Sequence, residues 1–184
     1  LVWASHAYAV NYALDFDGTD DYIDVGDLDI GSTFTIEAWI YSRANNARQG
    51  IFSTRSGNAS GSTQLEYGLC LGGSKNICFT NDSDTRLLTQ SGLYAENTWH
   101  HFAVSITPTS RTLYYNGSAV QTDSIPNYTP TDNDDAKVIG QGTSGAQFFN
   151  GLIDELRIWG DVRTAGEISA NYNQGVASDS DNLL

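Results

Sequence analysis

Two stretches carry most of what the sequence says about architecture: Phe16-Asp17-Gly18-Thr19-Asp20-Asp21-Tyr22-Ile23-Asp24-Val25 near the start and Gly151-Leu152-Ile153-Asp154-Glu155-Leu156-Arg157-Ile158-Trp159 near the end. Each sets carboxylates beside an alternation of apolar and polar residues, the period of a half-buried β-strand. The strands that begin and finish a sandwich domain often lie side by side. If these two pair, their acidic side chains converge, and close carboxylates repel unless a cation sits between them. The expectation is a β domain whose two ends are fastened together, with calcium at the join.

Between these ends, short alternating runs are separated by glycine, asparagine, aspartate and serine clusters, the pattern of a sandwich. Strands are expected at Ala13–Phe16, Tyr22–Val25, Phe34–Tyr41, Gly50–Thr54, Gln64–Leu71, Asn76–Thr80, Arg86–Thr89, Thr98–Ile106, Thr112–Tyr115, Ser118–Asp123, Lys137–Ile139 and Gly151–Trp159. Phe102, Val104 and Ile106 share one face of their strand, and Ile36, Ala38 and Ile40 one face of theirs. These belong between two sheets packed about 10 Å apart. Asn116-Gly117 is a tight-hairpin signal. One helix is expected, because Thr164 and Glu167 form a capping box and Ile168, Tyr172 and Val176 give one apolar face. The chain thus divides into an N-terminal arm or signal-peptide remnant at 1–12, one domain at 13–176, and a polar tail at 177–184.

Composition narrows the function classes. The 184 residues carry a formal net charge of −13, with 40% hydrophobic and 17% charged residues, a globular and not a disordered balance. A surface this acidic repels phosphate backbones and anionic lipid, which excludes nucleic acid as a partner. No apolar run is long enough to span a bilayer, so membrane insertion is not expected. Cys70 and Cys78 flank a turn near Ser74 that would set them opposite each other, at the spacing a disulfide needs. A disulfide implies an oxidising compartment; two buried thiols are the alternative. Ala7-Tyr8-Ala9 reads as a small-x-small signal-peptidase site, which would make Val10 the mature start. Otherwise the apolar-rich arm Leu1–Val10 needs a surface to cover it, its own or a neighbour's.

Phe16–Val25, Phe34-Thr35-Ile36-Glu37-Ala38-Trp39-Ile40, Thr98-Trp99-His100-His101-Phe102-Ala103-Val104, Leu113-Tyr114-Tyr115-Asn116-Gly117 and the stretch ending at Trp159 come in an order that resembles the laminin-G-like/pentraxin-like group of concanavalin A-type jelly rolls. The resemblance runs from about Ala13 to about Tyr172. It implies an all-β fold, a two-sheet antiparallel jelly-roll sandwich with one short C-terminal helix. It also implies a non-catalytic, secreted or cell-surface lectin-like module that binds a glycan or an extracellular protein and serves adhesion. The alternative is a structural subunit of an extracellular filament, self-assembling through Leu1–Val10 by strand addition.

The same resemblance assigns Asp154 to a structural calcium, as the aspartate of an Ile-Asp pair in the last long strand. Its partners would be Asp17 and Gly18, with Asp20 or Asp21 as substitutes. The competing reading is that Asp17 and Asp20 make Asx-type turn hydrogen bonds around Gly18. Catalysis is not expected: jelly-roll glycosidases need two carboxylates on one concave face, and the chain contains no Glu-x-Asp-x-Glu. Adjacent residues such as Asp154 and Glu155, or His100 and His101, point to opposite sides of a strand. Candidate glycan contacts are Asn46, Arg48, Asp82, Tyr94 and Tyr128, amide, charged and aromatic groups in loops. Trp39 and Trp159 are assigned to the core.

Overall fold

Among the described residues the chain forms twelve strands, several of them alternating with period two, and one helix that starts at a capping box. The computed structural model describes residues 13–44, 48–54, 67–81, 86–88, 91–124, 136–142, 146–174 and 182–184. The strands are β1 (Leu14–Asp17), β2 (Ile23–Gly26), β3 (Phe34–Ser42), β4 (Gln49–Thr54), β5 (Tyr67–Gly72), β6 (Asn76–Asn81), β7 (Arg86–Leu88), β8 (Trp99–Ile106), β9 (Ser110–Tyr115), β10 (Ser118–Ser124), β11 (Lys137–Ile139) and β12 (Asn150–Trp159). The helix α1 spans Ala165–Asn171. Each expected strand is present, with ends moved by at most three residues.

The strands form two antiparallel six-stranded sheets, in the orders β1-β12-β3-β8-β9-β10 and β2-β11-β4-β5-β6-β7. The first and last strands do pair: Leu14 stands opposite Ile153 and Phe16 opposite Gly151. Phe34, Ile36, Ala38 and Ile40 of β3 and Phe102, Val104 and Ile106 of β8 point inward. They meet Ile51, Phe52, Leu69, Leu71, Ile77 and Phe79 of the second sheet in one buried core. Burying each such side chain contributes about 1.5–3 kcal/mol, so this contact dominates the stability of the sandwich.

Part of the outer face of the first sheet is covered as well. Thr164 caps α1 and Glu167 returns the bond to the Thr164 backbone, a complete capping box. Ile168 then packs on Ala103 and Tyr114 as a second, smaller cluster. Gly117, at φ +77°, turns the β9–β10 hairpin after Asn116 at φ +46°. A Cβ on Gly117 would lie 2.7 Å from the Tyr172 ring, so only glycine serves both the turn and the helix contact.

The polar-tail assignment of 177–184 needs correction at its end. Leu183 bridges Trp159, Gly160 N–H donates to Asn182 O, and Leu184 N–H donates to Ile158 O. The reason is an edge requirement. β1 pairs with β12 no further than Ile153, which leaves the backbone groups beyond it to be satisfied by another segment. The N-terminal arm at 1–12 lies outside the described residues, as does Val176.

Cys70 and Cys78 are directly opposite on β5 and β6 and form a disulfide, with Cα atoms 5.0 Å apart. The bridge closes a short hairpin with a sequence separation of 8. A loop of that size restricts the unfolded chain by about 2 kcal/mol. Replacing both cysteines with alanine is therefore expected to lower the unfolding free energy by about 2 kcal/mol in urea titration without abolishing the fold. An unchanged unfolding curve would contradict this.

Candidate functional site

The turn after β1 brings acidic residues together. Gly18 adopts φ +83°, a left-handed conformation that reverses the chain. As a result the carboxylates of Asp17, Asp20 and Asp21 offer oxygens that all lie within 4.8 Å of one another, and all three residues are exposed. Asp17 Oδ1 accepts from Thr19 N–H at 2.7 Å, and Asp21 Oδ2 accepts from Asp17 N–H at 3.0 Å. The Asx turn and the carboxylate cluster therefore coexist, and each aspartate retains a second oxygen. Two ligands of one calcium ion lie no more than about 5.2 Å apart, so this spacing fits that ion.

Asp154 is not part of this group, which corrects the expected meeting of Asp17 and Asp154. Asp17 stands opposite Asn150, whereas Asp154 stands opposite Trp39 on the other side of β12. The two aspartates are thus four residues out of register, about 13 Å along the strand. That is beyond the reach of two carboxylates to one ion. Asp154 Oδ1 instead accepts from Glu155 N–H, at 2.8 Å, where a bulge begins.

The outer face of the first sheet holds a buried polar network. Glu37 on β3 faces Arg157 on β12 and the α1 side of the sheet. Its Oε1 accepts from Trp159 Nε1 at 2.9 Å and from Arg157 Nη1 at 3.4 Å, and its Oε2 lies 3.2 Å from His101 Nε2. Arg157 also donates to Gln174 O at 2.6 Å and to Asn171 O at 3.4 Å, which ties the end of α1 to the sheet. Trp39 Nε1 donates to Tyr172 O at 2.7 Å, and the two rings stack with centroids 6.0 Å apart. Arg163 lies over the Trp159 ring at 4.4 Å. Of the described carboxylates, Glu37 alone is buried.

Burial by itself would push the Glu37 carboxyl up. Its contacts with His101, Trp159 and Arg157 outweigh that and hold it below the ordinary glutamate value. His100, on the inner face of β8, is different. Burial drives its imidazole down, partly offset by its contact with the Ala95 backbone, and Tyr115 Oη lies 2.8 Å from its Nδ1. Both histidines are thus structural, on opposite faces, as adjacent strand residues must be.

The candidate glycan contacts separate. Tyr94 is buried in the core against Phe102, with ring centroids 5.6 Å apart, and burial pushes its phenol up to about 12. It is therefore not a ligand residue: its ring supplies packing that the loop position concealed. Arg48 stands half-buried immediately before β4. Asn46, Asp82 and Tyr128 lie outside the described residues. Trp39 and Trp159 are covered, but on the outer face beneath the α1 segment and not between the sheets.

One surface was missed by sequence reasoning. Tyr41 and Trp99 face each other across β3 and β8 on the outer face, with ring centroids 5.6 Å apart. Trp99 is 37% exposed. The signal was present, since inward Ile36, Ala38 and Ile40 oblige Tyr41 to point outward.

A family model described as the concanavalin A-like lectin/glucanases superfamily matches residues 17–169. No curated protein matches the chain in sequence. Similar solved structures include domain 4 of AbnA, an extracellular GH43 arabinanase from Geobacillus stearothermophilus, in complex with arabinotriose. It is 18% identical, with TM-score 0.70, and the match covers 88% of this chain and 77% of that one. The CBM40 of the Ruminococcus gnavus IT-sialidase, bound to α2,3-sialyllactose, is 15% identical, with TM-score 0.69 and coverage of 86% and 96%. The heptameric SAP-like pentraxin of Limulus polyphemus is 16% identical, with TM-score 0.65 and coverage of 92% and 89%.

The Glu37 network makes a pH prediction. A carboxyl held below its unfolded value contributes stability that is present above the unfolded pKa of about 4.3 and lost as pH falls through the folded value. Between pH 7 and pH 3, the wild-type protein should therefore lose more unfolding free energy in urea than Glu37→Gln does. Equal losses would show that Glu37 does not clasp the helix.

Proposed function

This chain belongs to the concanavalin A-like lectin/glucanases superfamily, and from that premise we propose that it is a secreted, non-catalytic lectin-like module that binds glycans. The observation that carries the non-catalytic part is Glu37. The one buried carboxylate among the described residues is consumed by Trp159, Arg157 and the His101 contact, beneath the segment that follows β12. A glycosidase needs two carboxylates facing a sugar from a concave surface. Support for glycan binding comes from similar structures in complex with arabinotriose and with sialyllactose. The disulfide supports an oxidising, extracellular setting.

Asp17, Asp20 and Asp21 are proposed to hold a structural calcium at the turn that follows β1. At 4.8 Å in high dielectric, each pair of carboxylates repels by about 1 kcal/mol. A bound cation removes that cost and locks the corner beside the β1–β12 pairing. Calcium at a hundred times its dissociation constant stabilises the folded state by about 2.7 kcal/mol.

Two measurements test this reading. A glycan array is expected to show binding to at least one polysaccharide class; silence across varied glycans would reject the module as a lectin. Separately, the wild-type thermal midpoint should rise in calcium and fall back in chelator, while Asp20→Asn combined with Asp21→Asn should show no response. A calcium response that survives both substitutions would place the ion elsewhere.

A further inference from the structure

We infer that the Tyr41–Trp99 pair is a stacking platform for a neutral oligosaccharide, on the outer face of the first sheet where α1 does not reach. This deepens the glycan-binding reading and rests on it. Of the tryptophans among the described residues, two have their ring and N–H occupied. Trp39 stacks on Tyr172 and donates to its carbonyl, and Trp159 donates to Glu37 beneath Arg163. Trp99 remains 37% exposed, braced by Tyr41 at its side. Exposing an indole forfeits burial energy that Trp159 secures on the same face of the same sheet.

The strand register extends this pair into a row. Tyr41 stands opposite both Trp99 and Leu152, and Leu152 stands opposite Asp15. Leu152, Tyr41 and Trp99 on three strands at about 4.8 Å spacing make a strip about 10 Å long, ended by Asp15 and sufficient for more than one sugar ring. Leu152 is half-buried and extends the apolar surface beside Tyr41.

Polar groups flank the strip on both sides. Arg43 holds Asp15 through two contacts, Nη1 to Oδ1 at 2.6 Å and Nη2 to Oδ2 at 3.1 Å. Asp154 lies one row away, opposite Trp39, with Oδ1 engaged by the Glu155 N–H. An apolar strip bordered by a few fixed donors and acceptors suits a pyranose or furanose, whose C–H face stacks while its hydroxyls bond at the rim. Charge selects among sugars. Arg43 neutralises Asp15, but Asp154 beside the rings and a net charge of −13 remain, so the strip repels sulfated and uronate chains and accepts neutral ones.

The test is affinity electrophoresis in gels containing arabinan, xylan or mixed-linkage β-glucan, with heparin as the anionic control. The wild-type protein is expected to be retarded by at least one neutral polysaccharide and not by heparin. Trp99→Ala should raise the dissociation constant at least tenfold with an unchanged thermal midpoint, and Trp99→Phe should retain most of the affinity. Leu152→Arg, which keeps both rings but obstructs the strip, should show the same loss and serves if Trp99→Ala is unstable. Retardation that persists at full strength in folded Trp99→Ala or Leu152→Arg would overturn the platform while leaving the glycan-binding reading standing. Failure of the wild-type protein on every gel would overturn both, and binding to heparin alone would overturn the charge argument and the platform with it.

Discussion

A single buried carboxylate organises the outer half of this molecule. Glu37 lies on β3, in the middle of the first sheet, and is reached by groups from both neighbouring strands, His101 of β8 and Arg157 and Trp159 of β12. An ionised group removed from water is tolerable only when such partners surround it, and losing one strands the rest. Arg157 extends the arrangement to the backbone carbonyls of Asn171 and Gln174, so the carboxylate also fixes where the helix ends. Tyr172 then stacks on Trp39 and closes over His101, with ring centroids 5.6 Å apart.

That clasp divides the outer face in two. Rows from Trp39 toward Trp159 are covered by the helix segment and the returning C-terminal residues. Among the described residues, the row that crosses Asp15, Leu152, Tyr41 and Trp99 is not. The inner core would accept many apolar sequences, but the outer face is specified by charge and aromatic geometry. The candidate binding strip is therefore a by-product of where the clasp stops. On the proposed reading, a jelly roll becomes a binding module where the described residues leave one end of a sheet partly exposed.

The fold was legible because its signals are local and repeated. Alternation in Phe34–Ile40 and Trp99–Ile106, Asn116-Gly117 at the hairpin, and Thr164 with Glu167 at the helix start each identify an element without reference to the others. The disulfide followed from hairpin symmetry around Ser74. The site was less legible, because register is a relation between distant strands. Placing Asp17 opposite Asn150, and not near Asp154, depends on a pairing that neither segment encodes alone. Tyr94 looked like a loop aromatic because nothing local reports that its ring turns inward onto Phe102. The pairing of Glu37 with Arg157 spans 120 residues and left no local trace.

The most direct measurement is a proton–nitrogen correlation spectrum of the tryptophan indole groups, recorded while an oligosaccharide of whichever neutral polysaccharide the protein recognises is added. The account predicts that the Trp99 resonance moves in a saturable way while those of Trp39 and Trp159 stay in place under the helix segment. A protein saturated with sugar whose Trp99 indole resonance has not moved would contradict it.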